Sequence, residues 1–222
     1  DNSEQVFRQA FNWTVNDSHT VEFGAEAAVN WRETLLELQF DDGNTVTPID
    51  LPVADSRVEE RRAELFVNHV WAINDAFNLE SGLRYEFSEI EQTGDSEQSR
   101  RFSYPKPSVA LTWQANDVTS LRIAGRRDVD QLNFGKFASS IDIADNNAVV
   151  GNPDYEPQRT WTLEAEVERR FGESGSFTFR IGQDWIEGVD DFISVVTPNG
   201  VFDAPGNIGD GTIFRLTWET SL

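Results

Sequence analysis

At 222 residues, 38% hydrophobic and 26% charged, with a mean hydropathy of −0.48, the chain is long enough to bury a sizeable core. It has no apolar run approaching the roughly 18 residues of a membrane helix, so any crossing of a membrane must be made by strands. A formal charge of −21 argues against binding nucleic acid or an anionic membrane surface through a basic patch, and the absence of cysteine excludes disulfides, thiolate metal sites and thiol nucleophiles.

Asp1 to Gln5 is polar and opens no signal-peptide pattern, which a mature exported protein and an internal fragment would share. The first strand is predicted around Phe7 to Val15 and ends at the polar turn Asn16-Asp17-Ser18. In the next, Val21, Phe23, Ala25, Ala27, Val29 and Trp31 alternate with Glu22, Gly24, Glu26, Ala28, Asn30 and Arg32, giving one apolar face and one polar face. Further strands are predicted at Ala63 to Ile73, Phe77 to Phe87, Val109 to Ala115 and Val118 to Arg126, with tight turns at Asn74-Asp75 and Asn116-Asp117. The alternation is clearest at Arg159 to Phe171, where Trp161, Leu163, Ala165 and Val167 interleave with Thr162, Glu164, Glu166 and Glu168. The turn Gly172-Glu173-Ser174-Gly175 follows, then strands at Phe177 to Trp185 and Ile213 to Trp218, making about nine in all.

Short turns alternate with longer loops at about 41 to 57, 92 to 101, 129 to 158 and 197 to 211. Tight turns at one rim and long loops at the other are the pattern of an up-and-down outer-membrane barrel. Trp13, Trp71, Phe77, Trp113, Phe171 and Phe177 fall near short turns and would form one interfacial girdle. Trp31, Tyr85, Phe87 and Trp185 would form the other. Segments of roughly 10 to 14 residues suit a tilted membrane crossing better than the strands of a soluble sandwich. The fold class expected is therefore all-β, an antiparallel meander forming part of a transmembrane outer-membrane β-barrel. Bacterial single-chain barrels have even strand numbers, so an odd count implies a partial barrel over residues 1–222.

The stretch from Leu121 to Phe171 resembles the barrel of TonB-dependent receptors. An arginine-rich strand end leads into a loop, then Gly151-Asn152-Pro153-Asp154-Tyr155-Glu156-Pro157, then a strand beginning Trp161-Thr162-Leu163-Glu164. Tyr155 stands where the family usually has leucine, and Trp185 to Ile193 followed by Gly206-Asn207-Ile208-Gly209 also follows the family's order. The resemblance implies a barrel of about 22 strands with an amino-terminal plug, energised from the inner membrane. Neither the plug, the TonB-contacting box nor an aromatic-terminated final strand is visible in the sequence.

The function expected from this resemblance is TonB-dependent uptake of a scarce nutrient such as a siderophore, a cobalamin-like compound or an oligosaccharide. The alternatives are a soluble all-β carbohydrate-binding module and a passive porin-type barrel. The partners expected are outer-membrane lipid, a small-molecule or oligosaccharide ligand, and the TonB complex through the absent plug region, with no nucleic acid.

Candidate ligand-binding residues of the lumen and loops are Arg126, Arg127, Asp128, Asp130 and Asn152. The bland reading is salt bridging among lumen charges for the first four and loop shaping for Gly151 to Pro157. Asp41-Asp42-Gly43-Asn44 lacks the spacing of an EF-hand and reads as a solvated turn. Glu59-Glu60 and Asp190-Asp191 are neighbours that point to opposite faces of a strand, which disfavours a glycosidase pair. With His19 and His69 as the only histidines, no Ser-His-Asp arrangement is expected, and neither a catalytic residue, a metal site nor a cofactor is called for.

Overall fold

A computed structural model describes residues 2–49, 54–131, 133–137, 139–142, 147–152, 154–197 and 200–221. The strands in chain order are β1 (Asn2–Asn16), β2 (His19–Leu35), β3 (Leu38–Asp41), β4 (Val46–Ile49) and β5 (Asp55–Asn74). Next come β6 (Phe77–Gly94), β7 (Gln98–Asn116), β8 (Thr119–Val129), a 3-10 turn (Phe134–Lys136), β9 (Ser140–Asp142) and β10 (Asn147–Val149). The last are β11 (Arg159–Phe171), β12 (Gly175–Glu187), β13 (Asp190–Thr197), β14 (Gly200–Asn207) and β15 (Gly211–Ser221).

Nine of these form one antiparallel sheet in the order β1-β2-β5-β6-β7-β8-β11-β12-β15, the expected meander. Consecutive members pair by hairpin, so every second connection returns at the same rim. Three short turns repeat one device: the side chain of Asn16, Asn74 or Asn116 accepts the backbone amide two residues on, at 2.9, 2.9 and 3.1 Å. The register shifts beside each of these asparagines, placing an irregularity at the strand end where it costs the ladder least.

The alternation sorts side chains by face. Trp31, Leu65, Tyr85, Ile123, Leu163 and Leu216 lie on the outer face, and several are about half exposed. A contiguous apolar face of this extent needs a non-aqueous environment. All ten predicted girdle aromatics fall on this face. Phe77 stacks on Trp113 at 5.9 Å near the short-turn rim, and Tyr85 contacts Phe87 at 4.8 Å toward the other.

The inner face carries the charges. At one of the inward glycines, Gly24 of β2, the missing side chain leaves room for the Phe66 ring, where a Cβ would meet both that ring and the Gln9 carbonyl oxygen. Arg8 and Arg84 lie over the same ring at 4.8 and 5.5 Å, a cation–π pair around the aromatic group.

The structure extends the predicted strands at the long-loop rim. β5 begins at Asp55, β6 runs to Gly94 and β7 begins at Gln98, so the expected loop at 92 to 101 shrinks to 95–97. Pro105 and Pro107 lie within β7, where strand reading stops because proline cannot donate to a ladder. They are tolerated because β7 pairs with β8 only from Ser108 onward, leaving that edge open, and the Pro105 carbonyl takes a hydrogen bond from Arg127 at 3.1 Å. The expected loop at 41 to 57 contains β4, which pairs with β3 just before it, and Gly200–Asn207 inside the expected loop at 197 to 211 is a strand.

Candidate functional site

The inner face is a lattice of ion pairs. Arg122 grips Glu80 through both guanidinium nitrogens, at 3.2 and 2.9 Å. Glu64 and Glu86 stand opposite each other on β5 and β6, and Lys106 from β7 bonds both, with Glu86 at 2.8 Å. Arg84 completes the group at 3.0 Å from Glu64. Farther along, Asp184 accepts from Arg215 and, at 2.8 Å, from Thr162. The buried carboxylates of Glu64 and Asp184 are thereby paired with cations, which a low-dielectric interior favours.

The long-rim segments fold back over this lattice. Phe137 and Tyr155, from the connection between β8 and β11, bury themselves against Val58 of β5 and Ile90 of β6, with Phe102 and Phe134 at the edge. Gln92 donates to the Phe137 carbonyl at 3.1 Å, and Arg100 donates to the Tyr155 carbonyl at 3.0 Å and to Glu156 at 2.6 Å. These bonds run from strand side chains to loop backbone, so the sheet itself fixes where the loop lies.

The same loop is tied to the β13–β14 hairpin. β10 joins β14 in parallel at Val149 and Asp203, making a second, four-stranded sheet of β13-β14-β10-β9. Asn207 donates to the carbonyls of Glu156 and Gly188 at 3.0 and 2.8 Å and accepts from the Glu156 amide at 3.0 Å. Lys136 donates to the Tyr155 hydroxyl at 3.1 Å and pairs with Asp190.

Burial pulls the Lys136 ammonium down, but its bonds to Asp190 and Tyr155 outweigh this and hold it above the ordinary lysine value. Burial also raises the Tyr155 phenol, partly offset by the bond from Lys136. Asp130 is raised by burial and by the neighbouring carboxylates Asp190 and Asp128.

The five predicted ligand candidates separate. Arg126 and Asp128 lie on the inner face and pair with each other at 2.7 Å. Arg127 points to the outer face, 5.9 Å over the Trp161 ring. Asp130 sits at the start of the loop, its amide bonded to the Gln158 carbonyl at 2.9 Å. Asn152 is a hub within the Gly151 to Pro157 motif: it donates to the Pro205 carbonyl at 2.8 Å and accepts from the Asp154 amide at 2.9 Å. At the tip of β3–β4, Asp41 and Asp42 spend their carboxylates on the backbone amides of Gly43, Asn44 and Thr45, which lowers Asp42. Glu59 turns outward to Arg61 while Glu60 turns inward to Asn30, so that adjacent pair shares no site.

Sequence reasoning passed over a recess of about 360 Å³ between the β8–β11 loop and the inner ends of β1 and β2. Glu4, Asn30, Arg32, Gln131, Asn133 and Phe134 line it. Its contributors come from three separate stretches, and only the inward parity of Glu4, Asn30 and Arg32 could have hinted at it. The segments at 36–54, 95–97, 130–158 and 188–210 carry many carboxylates and a single cation, Lys136, so the long-loop rim is strongly acidic.

Residues 1–215 match the family model described as TonB dependent receptor-like, beta-barrel. Among solved structures, the copper transporter OprC superposes with a TM-score of 0.76 at 14% identity, covering 99% of this chain and 36% of that one. The FrpB iron transporter from Neisseria meningitidis (F3-3 variant) gives 0.64 at 12%, covering 99% and 32%. The Serratia marcescens hemophore receptor HasR, solved as a double mutant with its hemophore HasA and heme, gives 0.67 at 10%, covering 99% and 39%. The chain thus spans about a third of the length of these proteins, and at such identities the likeness is one of fold. No curated protein sequence matches it.

Proposed function

We propose, from the premise that this chain belongs to the TonB-dependent receptor-like β-barrel family, that it forms part of an outer-membrane receptor that binds a scarce nutrient and passes it inward with energy from the TonB complex. The observation that carries this reading is the inward folding of a long-rim segment: Phe137 and Tyr155 anchor the β8–β11 loop on the inner face, and β10 joins it to β14 of the next long segment. A passive pore needs an open lumen, whereas a receptor needs residues presented at a constricted mouth.

Outer-membrane lipid covers the apolar face, and the inward pair Arg126 and Asp128, with Asp130 at the loop start, stands where a ligand would pass. Arg127 and Asn152 act behind them, one against Trp161 and the other within the loop motif. A siderophore, a cobalamin-like compound and an oligosaccharide are all compatible with a mouth of this kind. The similar structures include a copper transporter, an iron transporter and a hemophore receptor in complex with heme, which extends the range to metal cargo. The test is accumulation of labelled ferric siderophore, cobalamin, oligosaccharide and copper by cells expressing the full-length receptor, with and without TonB. Uptake of one of them that requires both receptor and TonB is expected. Equal uptake in the strain lacking TonB would overturn the reading in favour of a passive pore.

A further inference from the structure

The recess between the β8–β11 loop and β1–β2 has the chemistry of a ligand site that the ion-pair lattice does not use. Arg32 faces inward into it, and among the described residues no carboxylate pairs with that guanidinium. Glu4 lines the same recess, and among the described residues no cation pairs with it. Asn30 borders it, 5% exposed, its amide nitrogen fixed on Glu60 at 3.1 Å and its carbonyl oxygen left without a donor. An orphaned acceptor at that depth is uncommon in a native fold and calls for a missing partner. From the loop side come the amides of Gln131 and Asn133 and the half-buried ring of Phe134, whose other edge packs on the apolar cluster.

These groups do not suit a strongly charged ligand. An anionic chelate meeting Arg32 would also meet Glu4, and would first have to pass an acidic rim. A bare cation would find Arg32 in the recess, and among the described residues no group of three His, Asp or Glu side chains could hold a metal. A hydroxyl both donates and accepts, so it can answer a carboxylate, a guanidinium and carboxamides at once. Phe134 supplies a flat apolar surface for the C–H face of a ring. The volume lies within the roughly 300–1,000 Å³ of small-ligand pockets.

We propose that this recess binds a neutral polyhydroxylated ligand, a saccharide unit, held by Arg32, Glu4, Asn30 and the amides of Gln131 and Asn133 against the Phe134 ring. The inference rests on the receptor reading for the ligand's access to the inner face.

The test is direct binding to the purified full-length receptor in detergent, by titration calorimetry against neutral malto-, xylo- and chito-oligosaccharides, with ferric citrate and Cu²⁺ as charged comparisons. At least one neutral oligosaccharide is expected to bind. Arg32→Ala and Gln131→Ala should each weaken it by roughly tenfold, the loss of one or two hydrogen bonds. Gln131 is exposed on the loop, so its variant also serves should Arg32→Ala fail to fold. Binding of ferric citrate or Cu²⁺ without any neutral oligosaccharide, binding of no probe, or oligosaccharide binding unchanged in both variants overturns the proposal. TonB-dependent uptake of a metal chelate alongside absent saccharide binding would sink this inference and leave the receptor reading standing.

Discussion

Lys136 donates to the Tyr155 hydroxyl at 3.1 Å, a side-chain bond that adds to the backbone bond from the Asn152 amide to the Lys136 carbonyl in closing the β8–β11 loop on itself, while Asp190 holds the same ammonium from the neighbouring hairpin. Tyr155 occupies the place where leucine is usual in the family motif. The extra hydroxyl thus converts an apolar plug into a polar latch. Tyr155→Phe should cost about 1 kcal/mol, one hydrogen bond, and raise amide exchange over 130–158 in the full-length receptor. Tyr155→Ala empties the cluster with Val58, Ile90 and Phe137 and should cost about 3–5 kcal/mol. Equal exchange in the wild type and both variants would show that the latch does not hold the loop.

The same latch sets an alkaline limit. Lys136 has a folded value above its ordinary 10.5, so its contribution is complete below 10.5 and is lost as pH rises through the folded value. Tyr155 is also raised above its ordinary 10.0, so folding favours the neutral phenol, and that preference turns against the fold as the pH climbs beyond 10.0. Both signs agree: the loop should stay protected from protease through neutral and mildly alkaline pH and open above about 10.5. Protection that disappears between pH 7 and 9 would contradict this.

Asp130 gives a slope of the same sign at the acid end. Its folded value lies above the ordinary 3.8, so the folded state binds the proton more tightly and stability falls as pH rises from 3.8 through the raised value. Asp130→Asn should therefore flatten the pH dependence of loop exchange in that interval and modestly protect the loop at neutral pH. An unchanged profile would show that neither burial nor the carboxylates of Asp190 and Asp128 raise it.

Much of this architecture was legible in the sequence because lipid writes its pattern onto strands. Where the outer face meets hydrocarbon, as at Leu65, Val67 and Trp71, apolar residues recur at every second position and mark both strand and face. Beyond the membrane the signal fails for a physical reason. The outer residues of β5 become Arg57, Glu59 and Arg61, so the strand continues while its alternation vanishes. The β9–β10 and β13–β14 sheet was hidden for another reason, since its parallel contact between Val149 and Asp203 depends on two loops meeting over the inner face. The outward direction of Arg127 was available, because Leu121 and Ile123 share its parity. The recess was not, because Asn30, Gln131 and Phe134 are unremarkable until the loop folds back onto β2.

Lys106 tests the inner lattice. It separates Glu64 from Glu86, which face each other across the β5–β6 ladder, and all three side chains are largely buried. Lys106→Met leaves two carboxylates opposed without a cation between them, and should destabilise the barrel by about 3–5 kcal/mol. Lys106→Met combined with Glu64→Gln should recover a good part of that loss. Urea unfolding of the full-length receptor in detergent would read both, and additive losses in the double variant would show that the three groups do not act as a unit.

The two faces can be told apart by one substitution placed on each. Ile123 and Ala124 are neighbours on β8, the first on the outer face and 47% exposed, the second on the inner face beside Glu164 in the β8–β11 register. An arginine at Ile123 must bring its charge into hydrocarbon, where the cost near the midplane is about 2–4 kcal/mol. At Ala124 the same side chain meets a polar interior that already holds Arg122 and Arg126, with Glu164 as a counter-charge. Ile123→Arg should therefore lower the unfolding midpoint of the full-length receptor in lipid vesicles well below that of Ala124→Arg. Both variants place the same charged side chain on the same strand, so a lower midpoint for Ile123→Arg, which adds the smaller volume, reports the solvent that the outer face meets. Equal midpoints would mean that the apolar face is not turned toward lipid.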